Sequence, residues 1–385
     1  MKACSVRQSA AWLLALSVAG FLGCDASVPK DKSKSAGTST TVPSGVEPLP
    51  AKSTGKVKRI IILTNGDSPF WDAGRAGLTA ANSELKLADD GLKAVMDVND
   101  GTPQGQLQKL QQYGTQSDIV GVGVSAIDAD NVAIADELRS LQKKGIKVLT
   151  IDSDVDREKF ADARFAFIGS DNLAGGQVLG KCAKALRPDG GEYVTFVGRT
   201  GAQNAIERIG GFAEGAGKTF VSKDSMADDN KREIARENVR NAISNHPGLN
   251  VLVGIWSYNA PAIVDVVGEL KRRKDFTIVV FDAEPGAITA MKDGQIDAMV
   301  VQNPFEMGYQ GVRLMHALIK DDKETVASML PKHGEPGGDI YDTGLKVVVP
   351  NGDSPIGVDQ FDKNVDFLYL PTFQKWLTKY ELTGS

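Results

Sequence analysis

Arg59-Ile60-Ile61-Ile62-Leu63-Thr64-Asn65-Gly66-Asp67-Ser68-Pro69-Phe70-Trp71 passes from an unbroken apolar run into a turn. Three isoleucines and a leucine in succession predict a strand covered on both faces, the pattern of a parallel sheet. Asn65, Gly66, Asp67 and Pro69 each suit a turn by their backbone geometry. Phe70 and Trp71, side by side at the end of that turn, need a cover, either the protein's own core or a ligand.

Outward from this stretch, strand-like runs recur at 94–98, 119–124, 147–151, 165–168, 193–197, 251–255, 277–281 and 298–301. Amphipathic stretches such as 107–116, 131–144 and 235–245 lie between them. The alternation predicts βαβ units, and so many strands predict an α/β fold of two Rossmann-like lobes with parallel sheets. Ligands of such sheets bind off the carboxyl ends of the strands. The turn after Leu63 is one such end. Asp152 ends a second, Asp282 a third, and Gln302-Asn303-Pro304 a fourth. Taken singly, each of these residues also suits a helix cap or a turn.

The chain has 385 residues with a net charge of -5, which argues against nucleic acid as a partner. Lys2 and Arg7 precede the apolar residues 11–22, a stretch too short to span a bilayer comfortably. Leu22-Gly23-Cys24 resembles the lipobox of bacterial lipoproteins, with Phe21 where that motif usually has Leu. The resemblance implies a signal peptide over 1–23, cleavage before Cys24, and lipidation of Cys24. Asp25 resembles an inner-membrane retention signal of some bacteria. Residues 24–56 are rich in Ser, Thr, Pro, Lys and Gly and read as a flexible tether. Cys4 leaves with the signal and Cys24 carries lipid, so Cys182 has no partner for a disulfide. The three histidines are scattered and near no cysteine, which gives no pattern for a metal site. No cofactor is expected.

Five stretches carry a more specific resemblance. Asp67-Ser68-Pro69-Phe70-Trp71, Gly169-Ser170-Asp171-Asn172-Leu173-Ala174-Gly175-Gly176, Glu207-Arg208-Ile209-Gly210-Gly211-Phe212, Val280-Phe281-Asp282 and Gln302-Asn303-Pro304 occur in this order. In residues and separation they resemble the ribose-binding-protein group of periplasmic sugar-binding proteins, over 58–349. The resemblance implies two lobes joined by three crossing segments near Ser170-Asp171, Gln302-Asn303 and 343–345, with sugar held between. One lobe would take 57–170 plus 303–344, the other 171–302 plus 345–385. It also implies an ABC importer with permease subunits as partner, a monomeric state, and the periplasm or cell surface as location.

By the same resemblance, the stacking aromatics fall on Phe70 and Trp71, and first-lobe polar contacts on Ser68 and Thr64. A carboxylate falls on Asp152, followed by Ser153 where the family often has Arg. Arg208, Asp282 and Gln302 match directly. The second-lobe aromatic aligns with Asn230, and the Asn of the next loop with Ser257, flanked by Trp256 and Tyr258. A sugar offers apolar C–H faces and hydroxyls, so aromatic planes with charged groups at the rim suit it.

Other readings of these residues compete. Signalling and chemotaxis receptors resemble the same group. Gly121-Val122-Gly123-Val124-Ser125-Ala126 fits a dinucleotide fingerprint, but two βα units precede it and its glycines read as strand. Asp152-Ser153-Asp154-Val155-Asp156 imitates a calcium loop, but Arg157 and Ala163 stand where Gly and Glu are needed. Asp152 and Asp282 would make a glycosidase pair, against which Arg208 is expected to hold nearby carboxylates ionised. The reading is therefore a binding protein and not an enzyme. Residues 351–385 lie beyond the resemblance, and 371–380 reads as a short amphipathic helix packed on the second lobe.

Overall fold

The computed structural model describes residues 56–362 and 365–385. The expected signal peptide, Cys24 and the expected tether through residue 55 lie outside the described residues. The chain first builds β1 (Lys58–Leu63), α1 (Phe70–Glu84), β2 (Leu92–Asp97), α2 (Pro103–Tyr113), β3 (Ile119–Val124), α3 (Val132–Lys143), β4 (Lys147–Ile151) and β5 (Phe167–Gly169). It continues with α4 (Asn172–Leu186), β6 (Gly191–Val197), α5 (Gln203–Ala216), β7 (Phe220–Ala227), α6 (Arg232–Asn245), β8 (Leu249–Gly254), α7 (Asn259–Glu269), β9 (Thr277–Phe281), α8 (Pro285–Lys292) and β10 (Ala298–Val301). Then come α9 (Pro304–Lys320), α10 (Lys323–Met329), β11 (Ile340–Asp342), β12 (Leu345–Val349), β13 (Val365–Tyr369) and α11 (Leu370–Lys379).

Two sheets result, ordered β2-β1-β3-β4-β5-β11 and β7-β6-β8-β9-β10-β12-β13. Within each, the first five strands follow the doubly wound 2-1-3-4-5 order and pair in parallel. Among the described residues, only β12 runs antiparallel to its neighbour β10. The isoleucine run behaves as a doubly covered strand should. Ile60 and Ile62 enter one core cluster, Ile61 and Leu63 another. The glycines of the fingerprint look-alike lie inside β3, where a Cβ on Gly121 would meet Met315 Cγ at 2.6 Å.

The chain passes between the sheets three times: from β5 into α4, from β10 into α9, and from β11 into β12. Helix α9 returns to the first sheet by lying on α1. A Cβ at Gly77 would fall 1.9 Å from Phe305 O, so only glycine permits that approach. In the second lobe Gly176 does the same for α4 and α5, where a Cβ would fall 2.4 Å from Arg208 O. That crossing holds Arg208 against the sheet.

Strand β7 has no counterpart in the sequence reading, because seven of its eight residues are partly or fully exposed and it carries no apolar run. Strands β11, β12 and β13 were also not expected. α11 matches the expected amphipathic helix and seats Leu370, Phe373 and Leu377 in the second-lobe core.

Candidate functional site

A cavity of about 580 Å³, open to solvent, lies between the carboxyl ends of the two sets of strands. Of the sequence-predicted residues, Ser68, Phe70, Trp71, Asp152, Arg208, Asn230, Trp256, Ser257, Asp282 and Gln302 line it. Thr64 does not, which corrects the expectation. Its side chain is fully buried; its Oγ1 donates to Gly66 O at 2.8 Å and accepts from Asn99 N–H at 3.1 Å. Thr64 shapes the turn, a common use of a hydroxyl beside its own backbone.

On the first-lobe side, Phe70 and Trp71 open α1 and meet edge to face at 5.2 Å. They are only 7% and 4% exposed, so the question of their cover is settled mainly by the core, with one edge left to the cavity. Trp71 Nε1 donates to Asn65 Oδ1 at 3.2 Å. Asn65 Nδ2 reaches Asp152 Oδ2 at 3.5 Å, and Ser125 Oγ donates to the same oxygen at 2.9 Å. Asn65 thus couples the aromatic pair to the carboxylate.

The second-lobe side holds the cation. Arg208 Nε donates to Asn172 Oδ1 at 2.9 Å and Nη1 to Ile255 O at 3.0 Å, while the Phe281 ring lies 4.3 Å from its guanidinium carbon. Asp282 Oδ2 is 3.9 Å from Nη1, and Gln302 Nε2 donates to Asp282 Oδ1 at 2.9 Å. Of the residues lining the cavity, Arg208 and Gln302 each keep one buried atom, Nη2 and Oε1, with no partner among the described residues. Trp256 Nε1 donates to Asn204 Oδ1 at 3.2 Å. The Ser257 hydroxyl donates to Glu284 Oε1 at 2.9 Å, and Tyr258 donates to the buried Asp228.

Burial dominates the electrostatics. It pushes the Asp282 carboxyl up to about 6 and raises Asp152, and in both cases Arg208 opposes the shift without cancelling it. The expectation that Arg208 keeps these carboxyl groups from rising is therefore corrected. Desolvation also lowers Arg208 itself. Asp228 rises to about 6 by the same cause. The calcium-loop look-alike is otherwise engaged: Asp154 accepts from Thr150 at 2.6 Å, Arg164 at 2.7 Å and Arg157 at 2.9 Å.

Contacts span the cleft from lobe to lobe. Arg157 pairs with Glu207 at 2.9 Å, Ala129 N–H donates to Gly201 O at 3.0 Å, and Gly101 O accepts from Arg199 at 3.2 Å and Asn230 at 3.3 Å. Asn230 is thus a strut between the lobes, not an aromatic face. Sequence reasoning missed Asn65, Asn204, Arg232 and Tyr258 as cavity residues. Tyr258, next to Trp256 and Ser257, had a positional signal; the amides and Arg232 look like ordinary loop and helix-end residues.

Residues 59–324 match the family model described as a periplasmic binding protein domain. A ribose import binding protein of Salmonella typhimurium is 22% identical over 267 residues, covering 68% of this chain and 85% of the relative. The D-allose-binding periplasmic protein of Escherichia coli is 23% identical over 261 residues, 66% of this chain and 82% of the relative. A solute binding protein of an ABC transporter from Agrobacterium vitis, solved with bound D-fucose, superposes with a TM-score of 0.67 at 19% identity, covering 80% of this chain and 99% of the other. These likenesses in structure are likenesses of fold.

Proposed function

The chain belongs to the periplasmic binding protein domain family, and from that premise we propose that it is the substrate-binding lipoprotein of an ABC importer, holding a monosaccharide or similar small polyol between its lobes. The observation that carries the ligand class is the unpartnered pair, Arg208 Nη2 and Gln302 Oε1. One is a donor and the other an acceptor, and leaving such groups buried and unmade costs about 1–3 kcal/mol each. Hydroxyl groups both accept and donate, so a polyol satisfies the two together, while Phe70, Trp71 and Trp256 offer apolar edges to its C–H faces. The ribose and allose named for the relatives agree with this class.

Binding without turnover fits the carboxylates as well. Hydrolysis of a glycoside calls for environments that push two carboxyl groups apart in acidity. Here burial raises both Asp152 and Asp282. We assign the lobes to 57–170 with 303–344 and 171–302 with 345–385, and the protein acts as a monomer. Cys24 carries the lipid that holds it at the periplasmic or outer cell surface, in reach of permease subunits.

A thermal-shift screen over pentoses, hexoses and polyols tests the ligand class, since a ligand bound only by the native state raises the melting temperature. A panel that leaves the melting temperature unmoved overturns it. Cys24→Ser should release the protein from membranes, and a variant that still pellets after a high-salt wash removes the anchor.

A further inference from the structure

The last residues do something that neither the family match over 59–324 nor the cavity accounts for. After α11 the chain turns back toward the carboxyl ends of β9 and β10. The regular pairing of those strands ends at Phe281 and Val300, with Asp282 N–H donating to Val300 O at 2.8 Å. Just beyond that point Ser385 enters. It is 2% exposed, its N–H donates to Ala283 O at 3.0 Å, and its carbonyl accepts from Ala283 N–H at 2.5 Å. Its Oγ donates to Gln302 O at 2.9 Å. Gly384 lies so close that a Cβ would meet Ala283 O at 2.6 Å. Upstream, the Tyr380 ring lies 5.4 Å from Phe305, in the first turn of α9 beyond the crossing at Gln302-Asn303.

The two strand ends caught in this way carry Asp282 and Gln302, which line the cavity and bond to each other. Asp282 makes the last bond of the sheet here and Gln302 lies beyond it, so the sheet holds these two side chains only at its rim. Side chains that must meet a ligand within about half an ångström need such support. We propose that residues 380–385 form a strap that positions Asp282 and Gln302 for the ligand and ties the 302–303 crossing to α9 through Tyr380 and Phe305. The strap's effect on affinity rests on the cavity being the ligand site; its hold on the strand end does not.

The test uses the full chain with Gly384→Val, which forces the strap away from Ala283, and Ser385→Ala, which removes the bond to Gln302 alone. Three quantities are read: affinity for the sugar that gives the largest thermal shift, melting temperature, and hydrogen exchange of the Ala283 amide without ligand. The expected result for Gly384→Val is faster exchange at Ala283 and about tenfold weaker binding well below the melting temperature; Ser385→Ala should weaken binding about threefold with melting nearly unchanged. A purely structural tail would lower melting and leave affinity at low temperature alone, which overturns the positioning role. If Gly384→Val does not fold, Ser385→Ala decides. If no sugar of the panel binds the wild type, the ligand reading falls, and the Ala283 amide still reports whether the strap holds. An unprotected Ala283 amide in the wild type overturns the strap.

Discussion

The two lobes repeat one strand order yet present opposite chemistry at the same place. In each, an aspartate follows the fourth strand: Asp152 after β4 and Asp282 after β9. Asp152 is held by hydrogen bonds from the neutral Ser125 and Asn65, with Arg208 acting on it through space, within a lobe that adds the Phe70–Trp71 pair. Asp282 sits beside the buried cation and accepts from Gln302, and these two neighbours carry the unpartnered polar atoms. The first lobe therefore offers mostly surface and the second mostly unmet hydrogen bonds. Charged bonds inside a buried site outweigh the facing of one aromatic edge, so the second lobe should govern affinity and the first should complete the enclosure.

Substitutions across the cleft can break or sharpen this contrast. The largest effect is expected at Arg208→Ala: about 3 kcal/mol of binding, over a hundredfold by titration calorimetry, because Asp282 loses its buried partner. The melting temperature should fall as well, since Arg208 also bonds to Asn172 and Ile255. Asp282→Asn keeps the shape and should cost about 2 kcal/mol, near thirtyfold. If Asp152→Asn costs more than Asp282→Asn, the ranking of the lobes is wrong.

Acid provides the next step down. With its carboxyl at about 6 in the free protein, Asp282 is ionised at pH 7. A sugar hydroxyl donating to it favours the ionised form, so binding should weaken roughly tenfold from pH 7 to pH 5. Asp282→Asn should flatten that profile. Stability of the free protein runs the other way. A folded-state pKa above the unfolded value gives Asp282 a contribution that is full below the unfolded carboxylate pKa and lost as pH rises through about 6. Calorimetric melting of Asp282→Asn against wild type at pH 4 and pH 8 reads that sign.

On the first-lobe side Trp71→Phe should cost only about 1 kcal/mol, visible as a modest rise in dissociation constant by fluorescence titration. The smallest effect is expected from Glu207→Gln, which loosens the cross-lobe pair with Arg157 and should weaken binding about twofold. A loss near that of Arg208→Ala would mean that closure, not the second lobe, sets affinity.

The contrast between the lobes also marks what was legible in the sequence. Strand ends could be read because runs such as Val279-Val280-Phe281 stop abruptly at a polar residue. The aspartates and Gln302 followed from that together with the family resemblance, and Trp256 from its place beside Ser257 in the same resemblance. Thr64 misled because a hydroxyl after a strand looks the same whether it faces a ligand or its own turn. Asn65 and Asn204 could not be read. Each acts by joining a tryptophan ring to a partner distant in the chain, and an amide in a loop carries no periodic signal. The dominance of burial over Arg208 was equally hidden, because sequence gives neighbours in charge but not depth. β7 escaped for the converse reason, being an edge whose side chains meet water.

Asp152 and Asp282 have one further property in common: φ values of 66° and 63°, in the left-handed region. There a side chain costs free energy unless it is glycine, or an Asn or Asp whose short polar arm bonds locally. The backbone thus favours a three-letter alphabet at these two positions before any ligand is considered. Of those letters only one carries a charge. Glutamate, the replacement that would seem gentlest by chemistry, is disfavoured there without being barred, since Lys86, Lys271 and Glu381 also take positive φ in this chain. Asparagine, which discards the charge, is the change the chain tolerates best. Drift at either position would therefore change how the protein responds to acid sooner than it would change its fold.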